Sequence, residues 1–277
     1  MNRRTFLRVA AASTVVVPTA TVGYGFAESE SLRIERVTLP LPNLPRAFDG
    51  LRVVFLTDIH HGPYTELEFV AQIVRTTLSL QPDLILFGGD YCLRDRKYIA
   101  PCFDVLRNLS APLGVYGVLG NHDHWHGMDE TRAGMRRAGV EELTDRGVWL
   151  TSGADRLRLG GVDDLWCGQP DAAAAVGDAT REDAVLLLSH NPDLAETMAD
   201  RRVGLVLSGH THGGQVIVPG MTNPFIPSRY GDKYSHGQVE APATTVYVSR
   251  GLGLTGLPVR YNCPPELTLL TLTAPTT

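Results

Sequence analysis

The sequence predicts an α/β protein, because short apolar runs alternate with amphipathic stretches along most of the chain. Each run is rich in Val, Ile and Leu and is bounded by turn residues, which is typical of buried strands. We place these strands at residues 51–57, 83–87, 114–119, 184–188 and 203–207. A polar motif begins where each strand ends, and loops at the carboxyl ends of strands in an α/β sheet open into one crevice. The side chains of the five motifs are therefore expected to meet.

The predicted helices lie between the strands. In residues 65–80, apolar side chains recur at helical spacing from Leu67 to Leu78, and Thr65 with Glu68 predicts a capping box. Further helices are expected at residues 100–108, 128–138, 170–176 and 192–201, and further strands at 215–218, 244–248 and 267–272.

Five motifs carry the residues suited to chemistry. In chain order they are Asp58-Ile59-His60, Gly88-Gly89-Asp90, Gly120-Asn121-His122-Asp123, Ser189-His190 and Gly209-His210-Thr211-His212. Taken singly, Asp-x-His, Gly-Gly-Asp and Ser-His are weak signals, because such segments are common in turns and at helix starts. Gly-His-Thr-His is stronger, since alternating histidines in an extended segment place two imidazoles on one side. Of the nine histidines, five lie in the motifs, so the conjunction of all five motifs predicts a site.

The motifs together resemble those of the calcineurin-like metallophosphoesterases over most of residues 51–213. Segments 213–215, 247–253 and 264–266 are similar to the exported or membrane-associated bacterial branch of that family, which includes twin-arginine-exported phosphoesterases and UDP-2,3-diacylglucosamine pyrophosphohydrolases. The resemblance implies a four-layer α/β/β/α sandwich of two mixed sheets. It also implies a hydrolase of phosphoric ester or anhydride bonds.

Position by position, the resemblance implies which side chains hold metal. One ion is held by Asp58, His60 and His212, the other by Asn121, His190 and His210, and the Asp90 carboxylate bridges the two. His122 would lie beside the leaving-group oxygen and stabilise or protonate it, while Asp123 would orient the His122 ring.

The physical chemistry of the donor set agrees with that assignment. Carboxylate, amide and imidazole groups without thiolate suit divalent first-row metals, so we expect two divalent ions drawn from Mn²⁺, Fe²⁺, Zn²⁺ or Mg²⁺. Two cations roughly 3.5–4 Å apart lower the pKa of a shared water and clamp the phosphoryl oxygens during in-line attack. A short aspartate after two glycines, such as Asp90, suits the bridge, and Asn121 adds a neutral oxygen that keeps the site cationic.

The charge balance excludes a general attraction to nucleic acid. The chain has 25 Lys+Arg and 30 Asp+Glu, and its first 27 residues contain three arginines and no acidic residue. The remainder, residues 28–277, therefore holds 22 basic against 30 acidic residues, a net charge of −8. A phosphate substrate must be held locally, by metals and a few side chains.

The N-terminus resembles a twin-arginine export signal. Arg3 and Arg4 precede Phe6 and Leu7, and an uncharged, weakly apolar stretch follows from Val9 to Ala27. We expect residues 1–27 to be a signal peptide read by the twin-arginine export machinery, and residues 28–277 to be one catalytic domain in the periplasm or cell envelope. The alternative is a retained membrane anchor, because 19 uncharged residues reach across a bilayer.

The expected function is hydrolysis of phosphodiester or pyrophosphate-linked substrates in the cell envelope, with contact to the membrane surface. Two alternatives stay open: a lipid enzyme similar to UDP-2,3-diacylglucosamine pyrophosphohydrolase, and a non-catalytic metal-binding envelope protein. The lipid enzyme would need a domain facing the cytoplasm, where nucleotide-linked lipid precursors are found. The sequence carries no signal of oligomeric state.

A few other residues have two interpretations each. His61 either contacts substrate phosphate or is simply exposed, and Arg250 and Arg260 either bind the substrate or make structural pairs. Cys92 and Cys102 are either buried thiols or one disulfide, since four cysteines are too few for a disulfide framework.

Overall fold

Two six-stranded sheets form the centre of the fold in the computed structural model, which describes residues 25–220, 223 and 226–275. The strands of this described part are β1 (Arg33–Pro40), β2 (Leu51–Leu56), β3 (Leu84–Phe87), β4 (Val115–Gly117), β5 (Glu141–Glu142), β6 (Arg146–Ser152), β7 (Asp155–Gly161), β8 (Val185–Leu188), β9 (Leu205–Ser208), β10 (Gly237–Glu240), β11 (Thr245–Val248) and β12 (Glu266–Thr273). Its α-helices after β1 are α1 (Leu67–Ser79), α2 (Ile99–Leu106), α3 (Asn121–Ala138), α4 (Ala172–Val176) and α5 (Leu194–Thr197).

Both sheets are mixed. The first has the order β1-β12-β2-β3-β4-β5, in which β2 to β5 run parallel and β12 pairs antiparallel with β2. The second has the order β10-β11-β9-β8-β7-β6, with β7, β8, β9 and β11 parallel and an antiparallel strand at each edge. The five strands that precede the motifs are thus parallel neighbours within their own sheets.

The apolar side chains divide into three buried layers. In β2, Val53 and Phe55 pack between the two sheets, whereas Val54 and Leu56 pack against the helices. In β8, Leu186 faces the other sheet and the neighbouring positions face α4 and α5. Because these strands are covered on both faces, they consist almost wholly of apolar residues. The predicted α/β/β/α sandwich of two mixed sheets is confirmed.

The first helix starts later than expected, and its predicted capping box is wrong. Glu66 occupies the N-cap position and makes no side-chain capping bond. Thr65 is buried one residue earlier, where its carbonyl accepts the N–H of Gly62, and Glu68 pairs with Arg75 instead. The tight turn before the helix therefore fixes the chain direction without a capping side chain.

Helix α3 begins at Asn121, seven residues before the expected start at residue 128. Its first turns are polar and carry no amphipathic pattern, and Gly127 at φ 146° interrupts the helical backbone. The third motif consequently lies on a helix start rather than on a loop. The helix expected at residues 192–201 is shorter than predicted, since α5 covers only Leu194–Thr197.

The strand expected at residues 215–218 is wrong. Gln215 has φ 56°, and only Val216 forms an isolated bridge, with Tyr261. Five strands were not predicted, namely β1, β5, β6, β7 and β10. These strands lack the continuous apolar run by which the other strands were predicted. Charged residues interrupt or precede the apolar residues in β1, β6 and β7.

All four cysteines are free thiols, so Cys92 and Cys102 form no disulfide. In the part of the chain that the structure describes, no helix is long and apolar enough to cross a bilayer. The predicted signal peptide, residues 1–27, lies outside the described residues except for its last three. Within those three, the Gly25 carbonyl accepts a hydrogen bond from the backbone N–H of Arg260.

Candidate metal centre

The turns that follow β2, β3, β4, β8 and β9 bring all five motifs together. Backbone hydrogen bonds join the first two turns, since Asp58 N–H donates to Gly89 O at 3.0 Å and His60 N–H donates to Asp90 O at 3.1 Å. The turns are sharp. Five motif residues have a left-handed backbone conformation, with φ values of 48–68°: Asp58, His60, Asp90, His210 and His212. This backbone costs each of them on the order of 1–2 kcal/mol and is typical of functional sites.

Glycine is required where two of these turns meet. A Cβ atom on Gly120 would overlap the carboxylate of Asp90 and the ring of His190. The glycine of the third motif therefore lets the second and fourth motifs approach its backbone closely.

The first ligand group consists of Asp58, His60 and His212, whose ligand atoms lie within 4.8 Å of one another. His60 Nε2 is 3.0 Å from His212 Nε2, and His212 Nε2 is 3.2 Å from Asp58 Oδ1. Two imidazole nitrogens that face each other at this distance share at most one proton. Three buried donor atoms thus point into one space.

The second ligand group surrounds His190. Its Nε2 lies 3.2 Å from Asn121 Oδ1, 3.2 Å from His210 Nδ1 and 3.2 Å from Asp90 Oδ2. Its other ring nitrogen lies 2.8 Å from Gly88 O, which is the outer contact that orients many metal-ligating histidines.

Asp90 lies between the two groups. Its Oδ2 is 3.5 Å from His60 Nε2 in the first group and 3.2 Å from His190 Nε2 in the second. Its Oδ1 accepts the backbone N–H of His122 at 2.8 Å. One carboxylate oxygen is therefore shared by both groups, and the other ties the carboxylate to α3.

Burial and charge set most of the protonation states. Burial lowers the pKa of His60 well below its usual value, and burial together with the His190 charge lowers the pKa of His210 to about 3. Burial opposes ionisation of Asp58, but its contacts with His212 hold the pKa of Asp58 below its usual value. Neutral imidazoles and ionised carboxylates are the forms that bind metals.

His190 is the exception. Burial disfavours its charged form, but the carboxylates of Asp90 and Asp58 outweigh that effect and raise the pKa of His190 to about 10. The two carboxylates thus hold a positive charge in place. A cation in the same position would satisfy them equally well, so the residues fit a metal centre.

The close approach of donor nitrogens supports this fit. His60 Nε2 faces His212 Nε2 at 3.0 Å, and His190 Nε2 faces His210 Nδ1 at 3.2 Å, so each pair of imidazoles turns its donor atoms into the centre. The opposite ring nitrogens, His60 Nδ1, His210 Nε2 and His212 Nδ1, make no hydrogen bond within the described residues. The donor set contains only nitrogen and oxygen, as divalent first-row metals accept.

His122 differs from the other four motif histidines because its ring is only partly buried. The ring centroid lies 4.7 Å from that of His60, and the side chain lines a cavity of about 440 Å³ that opens over both ligand groups. His122 is therefore placed to meet a molecule bound in this cavity.

The expected contact between Asp123 and the His122 ring is not formed. The Asp123 carboxylate accepts the backbone N–H groups of Asp90 at 2.8 Å, Gly120 at 2.9 Å and Tyr91 at 3.1 Å. Adjacent positions on a helix point about 100° apart, so a carboxylate that reaches back to the helix start cannot also face the neighbouring ring. The His122 ring instead contacts His126, with Nδ1 3.2 Å from Nε2.

The residues with two interpretations have structural roles. His61 is buried and its Nδ1 contacts Thr65 O at 2.9 Å, so it is neither exposed nor directed at the ligand groups. Arg250 pairs with Glu35 and Glu266. The guanidinium of Arg260 is wholly buried and donates to backbone carbonyls of the segment that packs against Asp58.

Three residues at the site were not predicted from the sequence, namely Trp125, His126 and Trp166, and the segment 251–253 was predicted only as part of the family resemblance. Backbone N–H groups of Leu252 and Gly253 donate to the carbonyls of Thr57 and Asp58, which supports the turn after β2. The available signal in the sequence was Trp125, a large apolar side chain two residues after the third motif, whereas nothing in the sequence connects Trp166 with the motifs.

Comparisons with known proteins agree with this geometry. A family model described as calcineurin-like phosphoesterase matches residues 51–214, a span that contains all five motifs. The chain is 35% identical over 280 residues to the metallophosphoesterase YkuE of Bacillus subtilis (strain 168), which covers 98% of each chain. It is 35% identical over 229 residues to the phosphodiesterase YaeI of Escherichia coli (strain K12), covering 80% of this chain and 82% of that one. A metallophosphoesterase of Aquifex aeolicus (strain VF5) is 29% identical over 256 residues, with 90% and 95% covered.

Proposed function

Because the chain belongs to the calcineurin-like phosphoesterase family and is thus a hydrolase of phosphoester bonds, we propose that it cleaves phosphodiesters at a centre of two divalent metal ions. The observation that carries the proposal is the position of Asp90. Its Oδ2 lies 3.5 Å from His60 Nε2 and 3.2 Å from His190 Nε2, so one oxygen adjoins both ligand groups. A carboxylate shared in this way suits a pair of metals rather than a single one.

Each ligand group would hold one metal ion. Asp58, His60 and His212 would hold one ion, Asn121, His190 and His210 the other, and Asp90 both. When bound, the ions activate a water and neutralise charge on the phosphoryl oxygens. The candidates are Mn²⁺, Fe²⁺, Zn²⁺ and Mg²⁺; the four imidazoles favour Fe²⁺ and Zn²⁺ over Mg²⁺, which prefers oxygen ligands.

His122 is the residue proposed to act on the leaving group. Its partly exposed ring lines the cavity, and its backbone N–H holds Asp90 Oδ1 at 2.8 Å. The backbone of His122 is therefore fixed relative to the Asp90 carboxylate, and the ring would face the side from which an oxygen leaves. There it donates a hydrogen bond or a proton to the departing oxygen.

Phosphodiesters fit the cavity better than pyrophosphate-linked lipids or phosphomonoesters do. Among the described residues that line it, none is Lys or Arg, so no side-chain cation is present to hold a second phosphate. A diester brings a single negative charge, which the metals neutralise. The likeness to the phosphodiesterase YaeI supports the same choice.

The N-terminal arginines Arg3 and Arg4, with the uncharged stretch after them, support a further proposal that the protein is exported and works in the cell envelope. The test is the mature N-terminus of protein taken from cells, compared with an Arg3→Lys, Arg4→Lys double variant. Export requires that the wild-type protein lose its leader and that the variant stay in the cytoplasm. An intact leader on wild-type protein in the membrane fraction would favour a retained anchor.

The test of the proposed activity is turnover of bis(p-nitrophenyl) phosphate by the purified protein with each of the four metals. We expect turnover with at least one metal, and slower turnover of p-nitrophenyl phosphate. Absence of turnover with all four, in protein that binds metal, would favour a non-catalytic metal-binding role.

A further inference from the structure

Two tryptophans stand at the mouth of the metal-centre cavity. Trp125 and Trp166 are 53% and 45% exposed, and their ring centroids lie 6.4 Å apart with planes inclined by 30°. Both line the cavity. Indoles are rarely left half exposed as a pair, because their large apolar faces gain free energy when covered.

Both indoles contact rings of the candidate centre. Trp166 packs edge-on against His210, with centroids 4.3 Å apart, and Trp125 packs against His122, with centroids 4.9 Å apart. One indole thus adjoins a proposed metal ligand and the other adjoins the proposed leaving-group residue. An arm attached to a phosphorus atom at the centre would therefore lie within reach of these two faces.

The loop that carries Trp166 is held by hydrogen bonds. The buried Asp164 accepts the backbone N–H groups of Trp166 and Cys167 through Oδ1, each at 2.9 Å. His124, which precedes Trp125, lies 2.9 Å from Asp163 Oδ1 and so ties this loop to α3. The backbone segments that carry the two indoles are therefore held together before any substrate arrives, which lowers the cost of binding.

The rest of the wall is uncharged, and Leu257, 50% exposed, lies in it. Its polar side chains in the described part of the chain are those of Thr211, Gln215 and Thr255, and the Gln215 amide is already bonded to the backbone of Thr255 and Leu257. Among the described lining residues, the only ionisable side chains are Asp90 and three motif histidines, which adjoin the proposed metals. Nothing in this part of the wall would offset the desolvation of a charged arm. The arm that fits it is therefore uncharged and apolar.

We propose that Trp125, Trp166 and Leu257 form a subsite for an uncharged apolar arm of the phosphodiester, either an aryl ring or an alkyl chain. The proposal deepens the proposed function and rests on it for the position of the phosphorus. Since the indoles already contact His122 and His210, the subsite selects substrates by the arm next to the phosphate.

The test uses three diesters with equal charge: dimethyl, diphenyl and dihexyl phosphate. Their dissociation constants are measured by calorimetry on the metal-loaded protein. We expect diphenyl or dihexyl phosphate to bind at least about tenfold more tightly than dimethyl phosphate, as burial of apolar groups predicts. Tighter binding of dihexyl phosphate indicates an alkyl arm, and tighter binding of diphenyl phosphate an aryl arm.

The variants Trp125→Ala, Trp166→Ala and Leu257→Asp should reduce this preference to less than about threefold, whereas Trp166→Phe should retain most of it. Trp149→Ala is the matched control, because Trp149 lies under Arg156, with the guanidinium 3.9 Å from its ring centroid, outside the cavity. It should leave the preference at the wild-type value. Thermal unfolding of each variant shows whether it is folded.

Equal affinity for all three diesters in the wild-type protein would overturn the subsite, as would an unchanged preference in both tryptophan variants. A second result would assign the indoles to membrane contact instead. In that case the wild-type protein binds all three diesters equally and binds phosphatidylcholine vesicles, and Trp166→Ala no longer binds the vesicles. A different result would reject the proposed function and leave the subsite in place. A tight, tryptophan-dependent affinity for dihexyl or diphenyl phosphate without turnover of bis(p-nitrophenyl) phosphate keeps the subsite and rejects the hydrolysis of diesters.

Discussion

The ring of His122 contacts His126, one helical turn further along α3, with His122 Nδ1 3.2 Å from His126 Nε2. One of these nitrogens carries the proton between them, and a neutral His122 can donate from Nε2 only when His126 Nε2–H donates to His122 Nδ1. His126 is therefore a positioning residue for the group proposed to meet the leaving oxygen.

We expect His126→Ala to lower kcat by about 10-fold to 100-fold, as is typical when an outer partner of a functional histidine is lost. KM and metal content should change little, since His126 lies in neither ligand group. His126→Gln should recover part of the rate, because its amide also pairs with a ring nitrogen. His236→Ala, at an exposed histidine elsewhere, is the control. A rise in KM without loss of kcat would show that His126 binds substrate instead.

Ligand atoms of His60, Asp90 and His122 also lie within 4.8 Å of one another, so metal content separates the roles proposed for His122 and Asp90. His122→Ala should reduce kcat by about 10²-fold to 10⁴-fold, the range for general acid catalysis, and leave the metal content unchanged. Asp90→Asn should lose metal, because an amide cannot replace an ionised carboxylate between two cations. Metal analysis alongside kinetics checks both variants. Equal loss of metal from both would reject this division of labour.

Asp123 should matter for stability, because its carboxylate accepts three buried backbone N–H groups. Asp123→Ala leaves these donors unpaired, at about 1–3 kcal/mol each, so we expect the free energy of unfolding to fall by at least about 3 kcal/mol. Urea unfolding of the metal-free protein measures this loss. Asp129→Ala, at an exposed position of the same helix, should change it by less than about 0.5 kcal/mol. Unchanged stability in Asp123→Ala would contradict the backbone role.

Arg260 holds the segment that supports the first ligand turn. Its guanidinium donates to the carbonyls of Gly251 at 3.1 Å and Gly253 at 2.7 Å, and Gly253 N–H in turn donates to Asp58 O. Because a buried guanidinium bond to a carbonyl contributes about 1.5–3 kcal/mol, Arg260→Met should lower the free energy of unfolding by at least about 3 kcal/mol.

Arg260→Lys should recover only part of this stability, since an ammonium cannot span the same carbonyls. Arg201→Met, at an exposed arginine, is the control and should behave like the wild-type protein. Urea unfolding compares all three variants. Wild-type stability in Arg260→Met would show that the segment holds its position without the guanidinium.

The fold class was predictable from sequence because the central strands are buried on both faces. The motif residues were predictable because they follow directly after those strands. Strands such as β2 and β8 are covered on both faces and read as continuous apolar runs. Edge and hairpin strands lack that signal. In β7, Asp155 and Arg156 interrupt the apolar pattern, and β1 has mostly exposed or half-buried side chains.

The contacts around the motifs were less predictable, because they depend on side-chain direction. The sequence places Asp123 next to His122, but the start of α3 turns the carboxylate toward backbone N–H groups. The pairing of His122 with His126 follows from helical spacing, yet residues 121–127 carry no apolar periodicity that would predict a helix. The meeting of Trp125 and Trp166 depends on a loop anchored by Asp164, which tertiary contacts determine.

A crystal structure of the metal-loaded protein, with anomalous scattering recorded at the metal absorption edge, shows whether Asp90 joins two metal sites. We expect two metal peaks about 3.5–4 Å apart with an Asp90 oxygen bound to both. A single peak, or two peaks that Asp90 does not connect, would reject the two-metal centre.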